Sequence, residues 1–231
     1  MLKVLFIDID NTLLSFTEYV KLAMKNGFQK FGLKPYQDEM FSVFEIINNR
    51  LWRQIEQNKL TLEELEKIRW DQILKELEIS FDGLVFEHYF KEGLFSSAIL
   101  EPHAMEMLKY LKSRYILCAA SNGPYEQQLN RLREAGMYHY FQYFFISSQL
   151  GAQKPSREFF DQCFKILIQD GMADLVPEET MIIGDSFSSD MAGGIQYGMK
   201  TCLYQSGKTQ NKTFPDIDHV ISDLIEIRNF L

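Results

Sequence analysis

Two aspartates separated by a single residue follow the first apolar run of the chain. The run is VLFI at residues 4–7, and Asp8 and Asp10 come directly after it. Residues i and i+2 of an extended chain point to the same side, so the two carboxylates are expected to converge. Ligands of open α/β sheets collect beyond the carboxyl ends of the strands, which makes this pair a candidate for chemistry on a bound ligand.

Three further strand ends carry polar side chains of the same character. Ser121 and Asn122 follow the run YILCAA, and their hydroxyl and backbone N–H groups are suited to holding phosphate oxygens at a turn into a helix. Lys154 stands just before a helical pattern, and Asp185 ends another apolar run, with Asp190 five residues further on. Together these residue types predict a site for an anionic, phosphate-bearing ligand.

Each of these residues also has a plain structural interpretation. Ser121 could cap a helix, Lys154 could be a surface cation, and Asp185 and Asp190 could be a helix cap and a solvated first-turn residue. One aspartate of the first pair could likewise cap the following turn. Their order at the ends of successive apolar runs nevertheless favours one common site.

The elements that would position these residues alternate between strand and helix. Short apolar runs predict strands at 2–9, 115–121, 143–148, 180–185, 201–204 and 218–221. Helical patterns lie between them at 102–114, 124–136 and 155–171. This alternation predicts an α/β fold with a Rossmann-like, doubly wound parallel sheet.

Residues 15–96 depart from this alternation, because they contain helical patterns and no convincing strand. Thr61 and Glu64 form a capping-box pattern at the start of one such helix. A crossover of this length exceeds what one connecting helix needs. We therefore predict a helical domain at 15–96, inserted after the first strand of a core domain made of 1–14 and 97–231.

Composition narrows the classes of function. The 231 residues carry a formal charge of −8, and no basic run with interleaved aromatic residues offsets it, which argues against nucleic-acid polymers as partners. No long apolar segment predicts a signal peptide or a membrane span. Three separated cysteines in apolar surroundings are typical of a reduced, cytoplasmic protein. We expect a monomer or a homodimer.

The four segments DIDNT, SNG, KP and GDSFSSD resemble, in order, the four motifs of the haloacid dehalogenase (HAD) superfamily. The resemblance covers the whole predicted core, and the helical insert is similar to the cap domain that one branch of the superfamily carries. It implies a HAD-like core and a hydrolase that transfers phosphate to a carboxylate. The second aspartate of the first motif favours phosphatases over the dehalogenases of the superfamily.

Carried over motif by motif, the resemblance assigns a role to each residue. Asp8 would be the nucleophile, and Asp10 would protonate the leaving oxygen and then deprotonate water. Lys154 would place a positive charge at the nucleophile and the transferring group, while Ser121 and the Asn122 backbone would hold the phosphate.

The same resemblance implies Mg²⁺ as the cofactor, because two anions approach one another only with a counterion. Its protein ligands would be the Asp8 carboxylate, the main-chain carbonyl of Asp10 and Asp185. Asp190 would act from behind these ligands or through water. Thr12 would fix the turn around Asp10.

The segments 48–70 and 121–155 are similar to the pyrimidine 5'-nucleotidase branch, which implies a nucleoside monophosphate as the substrate. Asn48, Trp52 and Arg69 would then line the nucleobase side, although Trp52 could belong to the core of the helical domain and Arg69 could equally be a solvated helix charge. Asn11 stands where an acidic residue is also frequent in the family. A phosphatase for sugar phosphates or other small metabolites, and a catalytically silent phosphate-binding module on the same fold, remain alternatives.

Overall fold

A computed structural model describes residues 1–207 and 214–231. The chain divides into two compact units, Met1–Ser15 with Ala98–Leu231 and Phe16–Ser97. We refer to the first as the core unit and to the second as the helical unit. Their assignment as a catalytic core and a cap remains a prediction.

Six parallel strands form the sheet of the core unit in the order β3-β2-β1-β4-β5-β6. Each strand lies in or overlaps one of the apolar runs of the sequence, which confirms the predicted fold class. The strands are β1 (Val4–Ile7), β2 (Ile116–Ser121), β3 (Tyr143–Ile146), β4 (Thr180–Gly184), β5 (Lys200–Tyr204) and β6 (His219–Ile221).

The sheet is covered on both faces, which explains why its strands are continuous apolar runs. Leu5 and Ile7 of β1 belong to one buried layer, and Val4 and Phe6 belong to the layer on the opposite face. The order of strands reverses at β1, because the chain first builds β2 and β3 on one side and then β4 to β6 on the other. Ligands bind at such a switch point, so the ends of β1 and β4 mark the expected site.

The longer helices occupy the stretches that the sequence patterns indicate, whereas the short helices Ser147–Leu150 and Ala192–Tyr197 were not predicted, and the first of them begins inside the predicted strand 143–148. They are α1 (Phe16–Lys30), α2 (Glu39–Glu56), α3 (Leu62–Glu76), α4 (Gly83–Phe95), α5 (Ala104–Lys112), α6 (Tyr125–Glu134), α7 (Ser147–Leu150), α8 (Arg157–Gln169) and α9 (Ala192–Tyr197). Helix α5 begins later than the pattern from residue 102 predicts, because His103 adopts a left-handed conformation with φ of 60°. Within the described ranges, no helix combines the length and apolarity that crossing a bilayer requires.

The helical unit consists of α1 to α4 around an aromatic core. The Trp70 ring lies 4.2 Å from that of Phe86 and 5.4 Å from that of Phe90, measured between centroids. At the start of α3 the Thr61 side chain accepts from the Glu64 N–H while the Glu64 carboxylate accepts from the Thr61 N–H, which confirms the predicted capping box. Local sequence thus sets where α3 begins, and aromatic packing forms the core of the unit.

Candidate active site

The core unit collects polar side chains at the carboxyl edge of its sheet. Asp8 follows β1, Ser121 is the last residue of β2, and Asp185 follows β4. Lys154 lies in the segment between α7 and α8, beyond the end of β3. These elements belong to one parallel sheet, so residues far apart in the chain meet at one edge.

The Lys154 ammonium is the electrostatic centre of this edge. Its Nζ lies 2.8 Å from Asp8 Oδ1, 2.6 Å from Asp190 Oδ1 and 2.6 Å from the Ala120 carbonyl oxygen. An ammonium has three donors, and all three are used. Lys154 is only 1 % exposed, which rules out its alternative interpretation as a surface cation. Burial disfavours its charged form, but attraction and hydrogen bonds from Asp190 and Asp8 outweigh this, and its pKa is raised.

Three carboxylates surround this single ammonium. Asp8, Asp185 and Asp190 each offer one oxygen, and these oxygens lie within 4.8 Å of one another. Desolvation, together with repulsion from neighbouring aspartates, raises the pKa of Asp8 to about 7 despite the pull of Lys154. The pKa of Asp185 is raised well above its usual range, first by burial and then by Asp8 and Asp190.

This cluster fits a hard divalent cation. The donors are all oxygens, and three carboxylates against one ammonium leave an excess of negative charge in a buried place. Asp190 belongs to the same cluster, and Lys154 Nζ donates to its Oδ1 at 2.6 Å. Its action from behind the metal ligands or through water remains a prediction.

A glycine and a π-helical turn bring Asp190 close to the end of β4. The turn spans Phe187–Met191, and the Ser186 N–H donates to Asp190 Oδ2 at 3.2 Å. A Cβ added to Gly184 would lie 2.2 Å from the same oxygen. Gly184 thus gives the close backbone approach that this carboxylate needs, and a side chain there would displace it.

The turn after β1 fixes Asp8 from the other side. The Thr12 hydroxyl donates to Asp8 Oδ2 at 3.3 Å, while Lys154 holds Oδ1. Asn11 adopts a left-handed conformation with φ of 55°, which asparagine tolerates better than most residues. Thr12 therefore contacts Asp8 directly as well as belonging to the turn that carries Asp10.

Asn122 and Lys154 are joined by a reciprocal pair of hydrogen bonds. Asn122 Nδ2 donates to the Lys154 carbonyl oxygen at 2.8 Å, and the Lys154 N–H donates to Asn122 Oδ1 at 2.9 Å. The side chain at the end of β2 thereby fixes the backbone that carries the buried lysine. Phosphate binding by the Asn122 backbone remains a prediction.

Two residues of α6 reach Asp10 and were missed by the sequence analysis. Gln128 Nε2 donates to Asp10 Oδ2 at 2.7 Å, and Arg131 Nη1 donates to Asp10 Oδ1 at 2.5 Å. Both donors are completely buried. Their positions in the sequence do carry a signal. Gln128 and Arg131 are three residues apart, as are the core residues Leu129 and Leu132, so the two polar side chains lie on α6 next to its apolar face.

The three residues predicted for the nucleobase side all lie in the helical unit. Arg69 is 5 % exposed, so its interpretation as a solvated charge is wrong. Its Nε and Nη2 donate to both oxygens of Glu87, at 3.1 and 2.6 Å, and its Nη1 donates to Asn48 Oδ1 at 3.2 Å. Asn48 is buried, whereas Trp52 is partly exposed.

Glu87, which the sequence analysis did not identify, completes this polar group. Burial raises the pKa of Glu87, and attraction from Arg69 opposes that shift. A fork-shaped pair of this kind neutralises one buried cation with one buried anion.

Comparison with known proteins places these observations in a family. The sequence model of the haloacid dehalogenase-like hydrolase family matches residues 2–198. The HAD-hydrolase YfnB of Bacillus subtilis is 32 % identical over 200 residues, which cover 87 % of this chain and 83 % of YfnB. The crystal structure of YfnB bound to magnesium superposes with a TM-score of 0.86 at 29 % identity, covering 100 % of this chain and 98 % of YfnB.

Two further relatives have named substrates. The pyrimidine 5'-nucleotidase PynA of Streptococcus pneumoniae is 30 % identical over 215 residues, covering 91 % of this chain and 87 % of PynA. A glyceraldehyde 3-phosphate phosphatase of Methanothermobacter thermautotrophicus is 27 % identical over 231 residues, covering 98 % of this chain and 94 % of that enzyme. Both substrates are small phosphate monoesters.

Proposed function

Since the chain belongs to the haloacid dehalogenase-like hydrolase family, we propose that it is a Mg²⁺-dependent phosphatase that acts through an aspartyl phosphate and serves as a pyrimidine 5'-nucleotidase. The observation that carries this proposal is the buried contact of Lys154 with Asp8 inside a cluster of three carboxylates. A single ammonium among three carboxyl groups supports a site that accepts a further positive charge and, with it, an anionic substrate.

Asp8 is the proposed nucleophile. Its carboxylate oxygen attacks phosphorus, the bond from phosphorus to the leaving oxygen breaks, and Asp10 gives that oxygen a proton. In the second step water attacks the phosphorus of the aspartyl phosphate, Asp10 takes a proton from the water, and the Asp8 carboxylate is restored with release of phosphate. Lys154 and Thr12 hold the two Asp8 oxygens and thereby orient the attack.

Mg²⁺ would be held by the carboxylates of Asp8 and Asp185 and by the main-chain carbonyl of Asp10, with Asp190 in the same cluster. When bound, it would neutralise charge between the nucleophile and the phosphate. The magnesium-bound relative YfnB supports this choice of ion. The hydroxyl of Ser121, the backbone N–H of Asn122 and the charge of Lys154 would bind the phosphate oxygens.

The nucleotide assignment rests on the similarity to PynA. On this proposal Asn48 and Trp52 contribute to the nucleobase side, and Arg69 acts by orienting the Asn48 amide, since its own donors are already bound by Glu87 and Asn48. The similarity to the glyceraldehyde 3-phosphate phosphatase favours a second candidate, a phosphatase for a small sugar phosphate that shares every catalytic residue.

A substrate panel tests the proposal. Phosphate release is measured from pyrimidine and purine nucleoside 5'-monophosphates and from glyceraldehyde 3-phosphate, with Mg²⁺ and with EDTA. We expect Mg²⁺-dependent turnover, fastest for a pyrimidine nucleotide. Preference for glyceraldehyde 3-phosphate selects the second candidate, and absence of turnover from every ester contradicts the phosphatase assignment.

The nucleophile is tested by Asp8→Asn. Loss of the attacking oxygen is expected to lower kcat by about 10⁴-fold or more. Asp174→Asn, at an exposed position of the same unit, is the matched control and should retain wild-type turnover. Full activity of Asp8→Asn would show that phosphate is not transferred to Asp8.

A further inference from the structure

We propose that Gln128 and Arg131 are positioning residues, which together hold the carboxylate of Asp10 and orient the hydroxyl of Ser121. The inference rests on the proposed function, in which Asp10 moves the proton and Ser121 binds the phosphate. Gln128 and Arg131 lie on α6, outside the four motifs that carry the resemblance to the family.

Arg131 and Gln128 hold Asp10 by both of its oxygens. Arg131 Nη1 lies 2.5 Å from Oδ1 and Gln128 Nε2 lies 2.7 Å from Oδ2. The Asp10 side chain is 33 % exposed, whereas that of Arg131 is 1 % exposed. A half-open carboxylate is therefore fixed from its buried side, and its rotation about the side-chain bonds is restricted while the other side stays accessible.

The orientation of the Gln128 amide follows from the chemistry of its neighbours. A guanidinium only donates, so the oxygen that Arg131 Nη1 contacts at 2.9 Å must be Oε1. Nε2 then faces Asp10 and donates to its Oδ2 at 2.7 Å. Arg131 therefore fixes the amide that in turn contacts Asp10.

The same amide nitrogen reaches the phosphate-binding strand end. Gln128 Nε2 donates to Ser121 Oγ at 2.7 Å, and the Gly123 N–H donates to that oxygen at 3.1 Å. A hydroxyl accepts two hydrogen bonds and donates one. With both acceptor positions occupied, the Ser121 proton is available to donate, which is the polarity that a phosphate oxygen requires.

Gly123 is needed for this arrangement. A Cβ at position 123 would lie 2.7 Å from Gln128 Nε2, so a side chain there would move the amide. The loop after β1 and the end of β2 are thus connected through one glutamine, which is held by one buried arginine. Placement of the proton-transfer group and of the phosphate-binding hydroxyl is set by the same pair of side chains.

The experiment compares two esters that differ in how much they need a well-placed acid. p-Nitrophenyl phosphate has a stable leaving group that departs without protonation, whereas the alkoxide of uridine 5'-monophosphate requires a proton. If the panel shows preference for glyceraldehyde 3-phosphate, that ester replaces the nucleotide. The parameter is kcat/KM, which reports the steps through formation of the aspartyl phosphate.

Arg131→Met removes the charged donor and keeps an unbranched side chain. We expect kcat/KM for the alkyl ester to fall about 100-fold and that for the aryl ester by less than about 10-fold. Arg131→Lys should restore part of the loss on the alkyl ester. Arg133→Met is the matched control, since Arg133 lies exposed on the same helix against the Tyr138 ring, and both esters should be turned over as by the wild type.

Gln128→Met provides an independent variant that keeps the Arg131 contact with Asp10. We expect a higher KM for both esters, because Ser121 loses an orienting donor, and a selective loss on the alkyl ester. An equal loss on both esters in each variant would overturn the inference, as would wild-type kinetics. If Arg131→Met fails to fold, the ratio of the two esters in Gln128→Met decides. Wild-type inactivity on both esters would instead refute the proposed function.

Discussion

The core unit and the helical unit each bury a cationic side chain, and the two differ in the number of carboxylates that surround it. In the helical unit Arg69 meets one carboxylate, Glu87, which accepts from it with both oxygens. In the core unit Lys154 contacts Asp8 and Asp190, and Asp185 belongs to the same cluster. The first group is neutral by itself, whereas the second carries an excess of negative charge.

This difference separates an ion pair that holds a neighbouring side chain from a candidate catalytic centre. A buried pair of equal and opposite charges needs no further counterion. Burial raises the pKa values of Asp8 and Asp185, and repulsion among the three crowded carboxylates raises them further, so the cluster favours uptake of a proton or a cation. Both groups are buried, so the unequal number of carboxylates and cations is what distinguishes the candidate active site from the ion pair of the helical unit.

The largest effect is expected from removing the cation of the core unit. Lys154→Met would leave Asp8 and Asp190 without their shared donor, and loss of one partner from a buried group of charges costs about 3–5 kcal/mol. It should also lower kcat by at least about 100-fold, because the nucleophile loses its orienting donor. Urea unfolding and steady-state kinetics with Mg²⁺ measure the two effects.

Lys165→Met, at an exposed position on α8, is the control for Lys154→Met and should leave both the free energy of unfolding and kcat unchanged. Wild-type stability of Lys154→Met would mean that the three carboxylates do not depend on the ammonium. The contrast between the two units would then be lost.

Glu87→Gln breaks the balanced pair of the helical unit. We expect the free energy of unfolding to fall by about 3 kcal/mol, because Arg69 remains buried without a counter-charge, while kcat at a temperature well below unfolding stays unchanged. Glu92→Gln on the same helix removes only a surface contact with His88 and should change stability by less than about 0.5 kcal/mol. A fall in kcat as large as that of Lys154→Met would contradict the proposed division of roles.

The excess charge of the core unit predicts how stability depends on pH. Because the folded-state pKa of Asp8 is about 7, above the ordinary aspartate value of 3.8, the folded protein retains this proton to higher pH than the unfolded chain. Without metal, this group therefore destabilises the protein progressively as pH rises from about 4 to 7, by at most about 1.4 kcal/mol per pH unit. Asp185 acts in the same direction.

Saturating Mg²⁺ should remove much of that decrease and raise the free energy of unfolding by about 2.7 kcal/mol at one hundred times its dissociation constant. Urea unfolding at several pH values between 5 and 7, with EDTA or with Mg²⁺, gives the comparison. Asp185→Asn should weaken the response to Mg²⁺, and Asp174→Asn should not. A metal-free stability that rises between pH 5 and 7 relative to the Mg²⁺ form would contradict the charge excess.

The smallest effect is expected at the start of α3. Thr61→Ala removes the capping hydroxyl and should lower the free energy of unfolding by about 1 kcal/mol without changing kcat. Ser80→Ala, at an exposed position of the same unit, should be neutral. Thermal unfolding monitored by circular dichroism resolves the two, and equal melting temperatures for both variants would show that the cap contributes nothing.

Much of the fold and part of the candidate site follow from the sequence alone. The six strands are continuous apolar runs because both faces of a parallel sheet are covered. The capping box of Thr61 and Glu64 is set by residues three apart. Asp8, Ser121, Lys154 and Asp185 can be placed near one another because parallel strands bring their carboxyl ends to one edge.

Only the tertiary structure decided the partners within that edge. Gln128 and Asp10 are 118 positions apart, Lys154 and Asp190 are 36 apart, and neither contact leaves a periodic signal in the chain. Hydrogen bonds between distant residues depend on where packed helices and strands place side chain atoms to within a fraction of an ångström. The sequence by itself determined which elements form and which reactive groups they carry, whereas packing determined which groups touch.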